Sequence, residues 1–94
     1  MNMDEPAVPT LPLPTYRCHK SVRALKIAAI DYDRCILTPV EEGYAPLHVS
    51  AAYLHKHQPA VGGYWVLYDD GYQSYSPAAA FENGYTRVAE QEIA

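Results

Sequence analysis

Ninety-four residues suffice for one domain, because a chain this size buries only about two-thirds of its unfolded surface and cannot divide that core in two. Apolar residues make up 49% and charged residues 19%, a balance that excludes wholesale disorder. The net charge of −4 counts against nucleic-acid binding by bulk phosphate neutralisation, and no apolar run is long enough for a membrane span.

Nine tyrosines against one phenylalanine and one tryptophan mean that aromatic area comes mainly from side chains with a polar tip, which suit half-buried sites and interfaces. Cys18 and Cys35 stand apart, without CxxC spacing, and are expected to be reduced. Asp4, Glu5 and four prolines in the first fifteen residues are incompatible with a secretory signal, so a cytoplasmic setting is expected.

Residues 1–15, MNMDEPAVPTLPLPT, read as a proline-rich extended arm. Residues 16–88 form the expected domain, and 89–94 a flexible tail. YRCHKSVRALKIAAI fits two templates: Val22, Leu25 and Ala29 share a helical face, while Arg23, Leu25, Ile27 and Ala29 alternate as in a strand. The strand is preferred, because Asp31-Tyr32-Asp33-Arg34 then turns the chain into a second β-prone run, Cys35 to Thr38. Five of the seven basic residues lie between Arg17 and Arg34, either as a solvated edge or as a strip for a small anion.

Pro39 and Gly43 bracket an acidic loop with Glu41 and Glu42. Tyr44 to Val49 is an edge-strand candidate interrupted by Pro46. Ser50 caps an expected helix Ala51 to His57, stopped by Gln58-Pro59, with Val49 and Leu54 meeting across the cap. Tyr64 to Tyr68, YWVLY, is the strongest strand, and Asp70-Gly71 turns it back through Tyr72 to Tyr75. Ser76 is the expected cap of a second helix, its hydroxyl accepting an early amide proton, with Pro77 at the first helical position and Gly84 as the stop, and Tyr85 to Val88 is the last expected strand.

With Asp70-Gly71 as a two-residue loop, Trp65, Leu67, Tyr72 and Ser74 share one hairpin face, and Tyr64, Val66, Tyr68, Gln73 and Tyr75 the other. Both faces then carry large apolar area. Either the helices cover both, or one face meets a partner. The composition of this stretch, rich in Gly, Tyr, Asp and Ser, matches contact surfaces in which tyrosine supplies rigid amphipathic area. Tyr64, Tyr68, Tyr72 and Tyr75 are therefore the candidate binding residues.

His48, His55, His57, His19 and Cys18 lack metal-ligand spacing, since His55 and His57 at i,i+2 diverge on a helix. No serine or cysteine lies in a nucleophile motif, and Asp69-Asp70 reads as a solvated turn. No catalytic residue, metal or cofactor is expected.

VGGYWVLYDDGYQSYSPAAAFENGYTRV, together with YRCHKSVRALKIAAI, resembles small proteins of bacteriophages and prophages related in pattern to the PGDYG family. Pro77, Phe81 and Tyr85 match its closing Pro-x-x-x-Phe-x-x-x-Tyr spacing, while Gly63 replaces the usual aspartate. The resemblance implies a viral protein in the host cytoplasm with a small α+β fold and carries no catalytic residue. The expected architecture is a strongly curved antiparallel sheet of five or six strands with two short helices. The expected function is that of a non-enzymatic phage accessory protein contacting a host or viral component. Alternatives are an inhibitor of a bacterial defence system, acting on a protein or sequestering a small anionic ligand, and a structural virion component.

Overall fold

The computed structural model describes residues 11–18 and 20–88. The expected tail, 89–94, and most of the proline-rich arm lie outside them. Leu11, Leu13 and Tyr16 are exposed on a segment without regular secondary structure that precedes the sheet.

The elements follow as β1 (Arg23–Asp31), β2 (Ile36–Pro39), β3 (Leu47–His48), α1 (Ala51–His57), β4 (Tyr64–Leu67), β5 (Gln73–Ser76) and α2 (Ala78–Gly84). All strand pairings are antiparallel, in the order β3-β2-β1-β4-β5. The sheet is open, with β3 and β5 as its edges, and it does not curl strongly as expected from the sequence.

β1 resolves the ambiguity between helix and strand. Its register against β2 shifts between Ile27 and Ala29, so Ala28 is an extra residue. Such a bulge turns the strand by one residue. Ile27 and Ile30, three apart, consequently both join the core, a spacing that a regular strand would send to opposite faces. The β1–β2 turn is held by Asp31, whose Oδ1 accepts from the amides of Asp33 and Arg34, and Cys35 leaves it at φ 58°.

The core lies between one sheet face and α1. Ile27, Leu37, Val49, Tyr53 and Leu54 are buried together, with Ile30, Leu47, Trp65 and Tyr75 packed around them. Ser50 caps α1 as expected, its Oγ accepting from the Tyr53 amide at 2.9 Å. Val49 and Leu54 bury on either side of that cap. Gln58, in the left-handed region at φ 44°, ends the helix, its amide donating to the Leu54 carbonyl. Replacing Ser50 by alanine leaves the Tyr53 amide without this partner and is expected to cost about 1 kcal/mol by chemical denaturation. A threonine in its place should recover most of the loss.

Three expectations about the last third of the chain require correction. Pro77, not Ser76, is the N-cap of α2, and the Ser76 hydroxyl donates to the Pro77 carbonyl rather than accepting an amide. Gly84 lies within α2 without a positive φ, and the cap is Tyr85 in extended conformation, its amide donating to the Phe81 carbonyl. Residues 85–88 form no strand and pair with neither edge of the sheet. They are instead anchored by Arg87, which makes a two-pronged ion pair with Glu41 at 2.6 and 3.1 Å.

Candidate functional site

The β4–β5 hairpin is one residue out of its expected register. Tyr68 donates its amide to the Tyr72 carbonyl at 2.9 Å, Gly71 donates to the Tyr68 carbonyl, and the Tyr72 amide is taken by Asp70 Oδ1. The loop is therefore Asp69-Asp70-Gly71, three residues, with Gly71 at φ 89° supplying the left-handed position such loops need. Leu67 pairs with Gln73, Val66 with Ser74 and Trp65 with Tyr75. One residue of slip exchanges the faces of a strand. Trp65 and Tyr75 thus share the core face, and Val66 and Ser74 share the opposite one, against the assignment that a two-residue loop implies.

The four candidate tyrosines consequently separate. Tyr75 packs on the core beneath α1, its ring lying against Gly63. Tyr64 is on the other face, where it holds α2. Its ring stacks on Phe81 at 4.1 Å, Phe81 stacks on Tyr85 at 4.5 Å, and its hydroxyl donates to Glu82 Oε2 at 2.8 Å. Lys26, the cross-strand neighbour of Tyr64, reaches the same carboxylate at 3.1 Å. The Tyr64 hydroxyl and the Lys26 ammonium together hold the Glu82 carboxyl below its ordinary range, and the bond to Glu82 raises the Tyr64 phenol. The two helices thus cover opposite sides of the hairpin, α1 over Trp65 and Tyr75, α2 over Tyr64.

Tyr68 and Tyr72 remain outward. They are 39% and 44% exposed, and their rings lie 6.0 Å apart at 24° beside the acidic turn. Lys56 on α1 donates to the Tyr72 hydroxyl at 2.8 Å, its Nζ standing 5.1 Å from the ring centroid. His57 approaches Tyr53 at 4.7 Å and Tyr72 at 6.2 Å. Burial, then the neighbouring Lys56 charge, pushes the His57 imidazole below its ordinary pKa, with a main-chain bond at Gln73 acting the other way. Tyr53 donates to the Ser74 carbonyl at 2.7 Å, and its burial raises the phenol well above the usual range. Lys20 and Ser21, at the entry to β1, line a shallow depression with Tyr68, Asp69 and Asp70.

The tip is therefore a pair of exposed rings between ammonium and carboxylate groups. Among the described residues no group of three or more His, Cys, Asp or Glu could hold a metal ion. Of the basic strip, Lys26 is committed to Glu82 and Arg34 lies 4.0 Å from Asp31, while Arg17, Lys20 and Arg23 are exposed. Lys56 is invisible as a site residue in the sequence, since only packing of α1 on β5 brings it to Tyr72.

These features define a class: a small α+β domain with an open five-stranded antiparallel sheet and a short helix against each side of its hairpin. Among solved structures, the chain is similar to the NMR solution structure of the monomeric form of the phage L decoration protein. The TM-score is 0.58 and the sequence identity 31%, over 88% of this chain and 63% of that one. The chain thus spans less than two thirds of that protein's length. No protein-family model and no curated protein matches. The likeness is to a phage protein, in line with the bacteriophage resemblance read from the sequence, whereas the PGDYG resemblance rests on the quoted residues alone.

Proposed function

We propose that this chain is a non-enzymatic structural component of a phage virion, of the decoration type, which attaches to the particle through the exposed hairpin tip. The observation that carries the reading is the likeness to the decoration protein, 31% identical over 88% of this chain. The virion alternative thereby rises above the defence-inhibitor and anion-sequestering readings, which no observed geometry favours. Tyr68 and Tyr72 are the contact residues of this proposal, because Tyr64 and Tyr75 have structural partners inside the fold. Aromatic residues of this kind, ringed by polar groups, are typical anchors of protein contacts.

The test is co-sedimentation. Particles of the phage encoding the chain should band in a density gradient with the protein attached, and Tyr68→Ala with Tyr72→Ala should reduce the attached amount by at least tenfold without changing the circular dichroism of the free protein. Protein found entirely in the soluble fraction would count against a virion role. Undiminished attachment of the double variant would move the contact away from the tip.

A further inference from the structure

The two edges of the sheet differ. β3 is two residues long and follows Pro46, which has no amide to offer, so this edge is blunted in the way natural sheets avoid edge pairing. β5, Gln73-Ser74-Tyr75-Ser76, contains neither a charge nor a proline. Because Tyr68 and Tyr72 are a hydrogen-bonded pair, alternation makes Val66 and Ser74 the next one. The main-chain groups of Gln73 and Tyr75 therefore point away from β4. Among the described residues no backbone group bonds them.

We propose that the β5 edge pairs with the β5 edge of a second copy, antiparallel about a two-fold axis through Ser74, giving one continuous sheet. In this register Gln73 of each copy faces Tyr75 of the other, and the two residues exchange both their amide-to-carbonyl bonds. Ser74 faces its own copy across the axis. The pairing is isologous, so the same neutral strand satisfies itself without bringing like charges into opposition.

The surroundings permit it. α2 leans inward, its Phe81 on Tyr64 and its Glu82 on Lys26, and Gln73 on the edge strand is exposed. On the other side α1 lies over the strand, its Tyr53 hydroxyl on the Ser74 carbonyl and its His57 ring 6.2 Å from that of Tyr72. A carbonyl has two lone pairs, and Ser74 shows the arrangement within the same strand: its carbonyl serves Tyr53 while the residue pairs with Val66. Pro77 limits the paired segment at its end, which favours a partner strand as short as β5 itself.

Disulfide trapping tests the register. Opposed residues of a non-hydrogen-bonded pair have Cα atoms about 4.5 Å apart, within disulfide reach. In a Cys18→Ser background, the near-isosteric Ser74→Cys should link the two copies through the introduced thiols under oxidised glutathione at least tenfold faster than Thr38→Cys, an exposed position in β2. Peptide mapping identifies the bond. The wild-type mass by light scattering should rise toward twice the monomer between micromolar and millimolar protein. Hydrogen exchange at the Gln73 and Tyr75 amides of wild type should slow over the same range, a readout independent of the variant's folding. A monomer at every concentration overturns the proposal. So does a dimer in which Thr38→Cys links as fast, or in which those amides stay unprotected. Particle attachment is a separate measurement, so failure here leaves the virion reading to its own test.

Discussion

Leu37→Ala is expected to remove about 3 kcal/mol of stability. Leu37 is fully buried, in the middle of β2, with Ile30 opposite it on β1 and Leu47 on β3. It touches the cluster that joins the sheet to α1 through Val49 and Leu54. The loss has two parts, the transfer of the missing methyl groups and the unfilled space they leave, because strands fixed on both sides cannot close over a gap. In a domain of this size, 3 kcal/mol corresponds to roughly 12–24 °C in melting temperature. Urea titration of Leu37→Ala beside Leu47→Ala, truncated at a half-buried edge position, should show the first as clearly the larger. A loss below about 1 kcal/mol for Leu37→Ala would mean that the core is centred elsewhere.

Gly63→Ala is expected to cost about 1–3 kcal/mol for a different reason. Gly63 is buried at the entry to β4, where its carbonyl accepts from the Ile27 amide at 2.8 Å. Its φ is not positive, so alanine meets no backbone penalty there. A methyl group would instead overlap the ring and hydroxyl of Tyr75, which lies diagonally across the hairpin and packs on the core. The cost should therefore depend on Tyr75. In a Tyr75→Ala background, adding Gly63→Ala should cost close to nothing, and the resulting coupling identifies the overlap as its cause. Gly62 provides the contrast, since it sits at φ 94° and a methyl group added there would meet nothing within 4 Å. Its replacement by alanine acts through backbone strain and should be indifferent to Tyr75. Equal costs of Gly63→Ala with and without Tyr75 would sink the steric account.

The same two residues show where sequence reasoning reaches and where it stops. The glycine pair at 62 and 63 announces a close approach of chain to chain, but nothing local specifies which side chain lies over it. Tyr75 is legible as an aromatic in a strand. Its side of the sheet depends on whether the turn holds two residues or three, and Asp69-Asp70-Gly71 permits both. Three win because Gly71 takes the left-handed position while Asp70 accepts the Tyr72 amide. That single residue moves Tyr75 from the tyrosine-rich face to the core and breaks up the expected four-tyrosine surface.

The second helix tells a related story. Alanines 78–80 and Phe81 mark it, and local preference makes Gly84 its stop, whereas the stack of Tyr64, Phe81 and Tyr85 keeps the chain helical through residue 84. The first helix is legible at both ends, since its cap, its buried pair and its proline stop all lie within twelve residues of one another.

What the sequence by itself determined were the elements whose causes are local: the Ser50 cap, the Asp31 turn, the strand preference of Tyr64 to Leu67, and the lack of any nucleophile motif or metal spacing. Tertiary structure decided the rest. The Ala28 bulge, the three-residue hairpin loop and the placement of α1 and α2 on opposite sides fix which face each aromatic ring meets, because strand side chains alternate and one added residue reverses them. Only after that reversal do Tyr68 and Tyr72 stand alone at the tip, with Lys56, sixteen residues before Tyr72 in the sequence, brought beside them by α1.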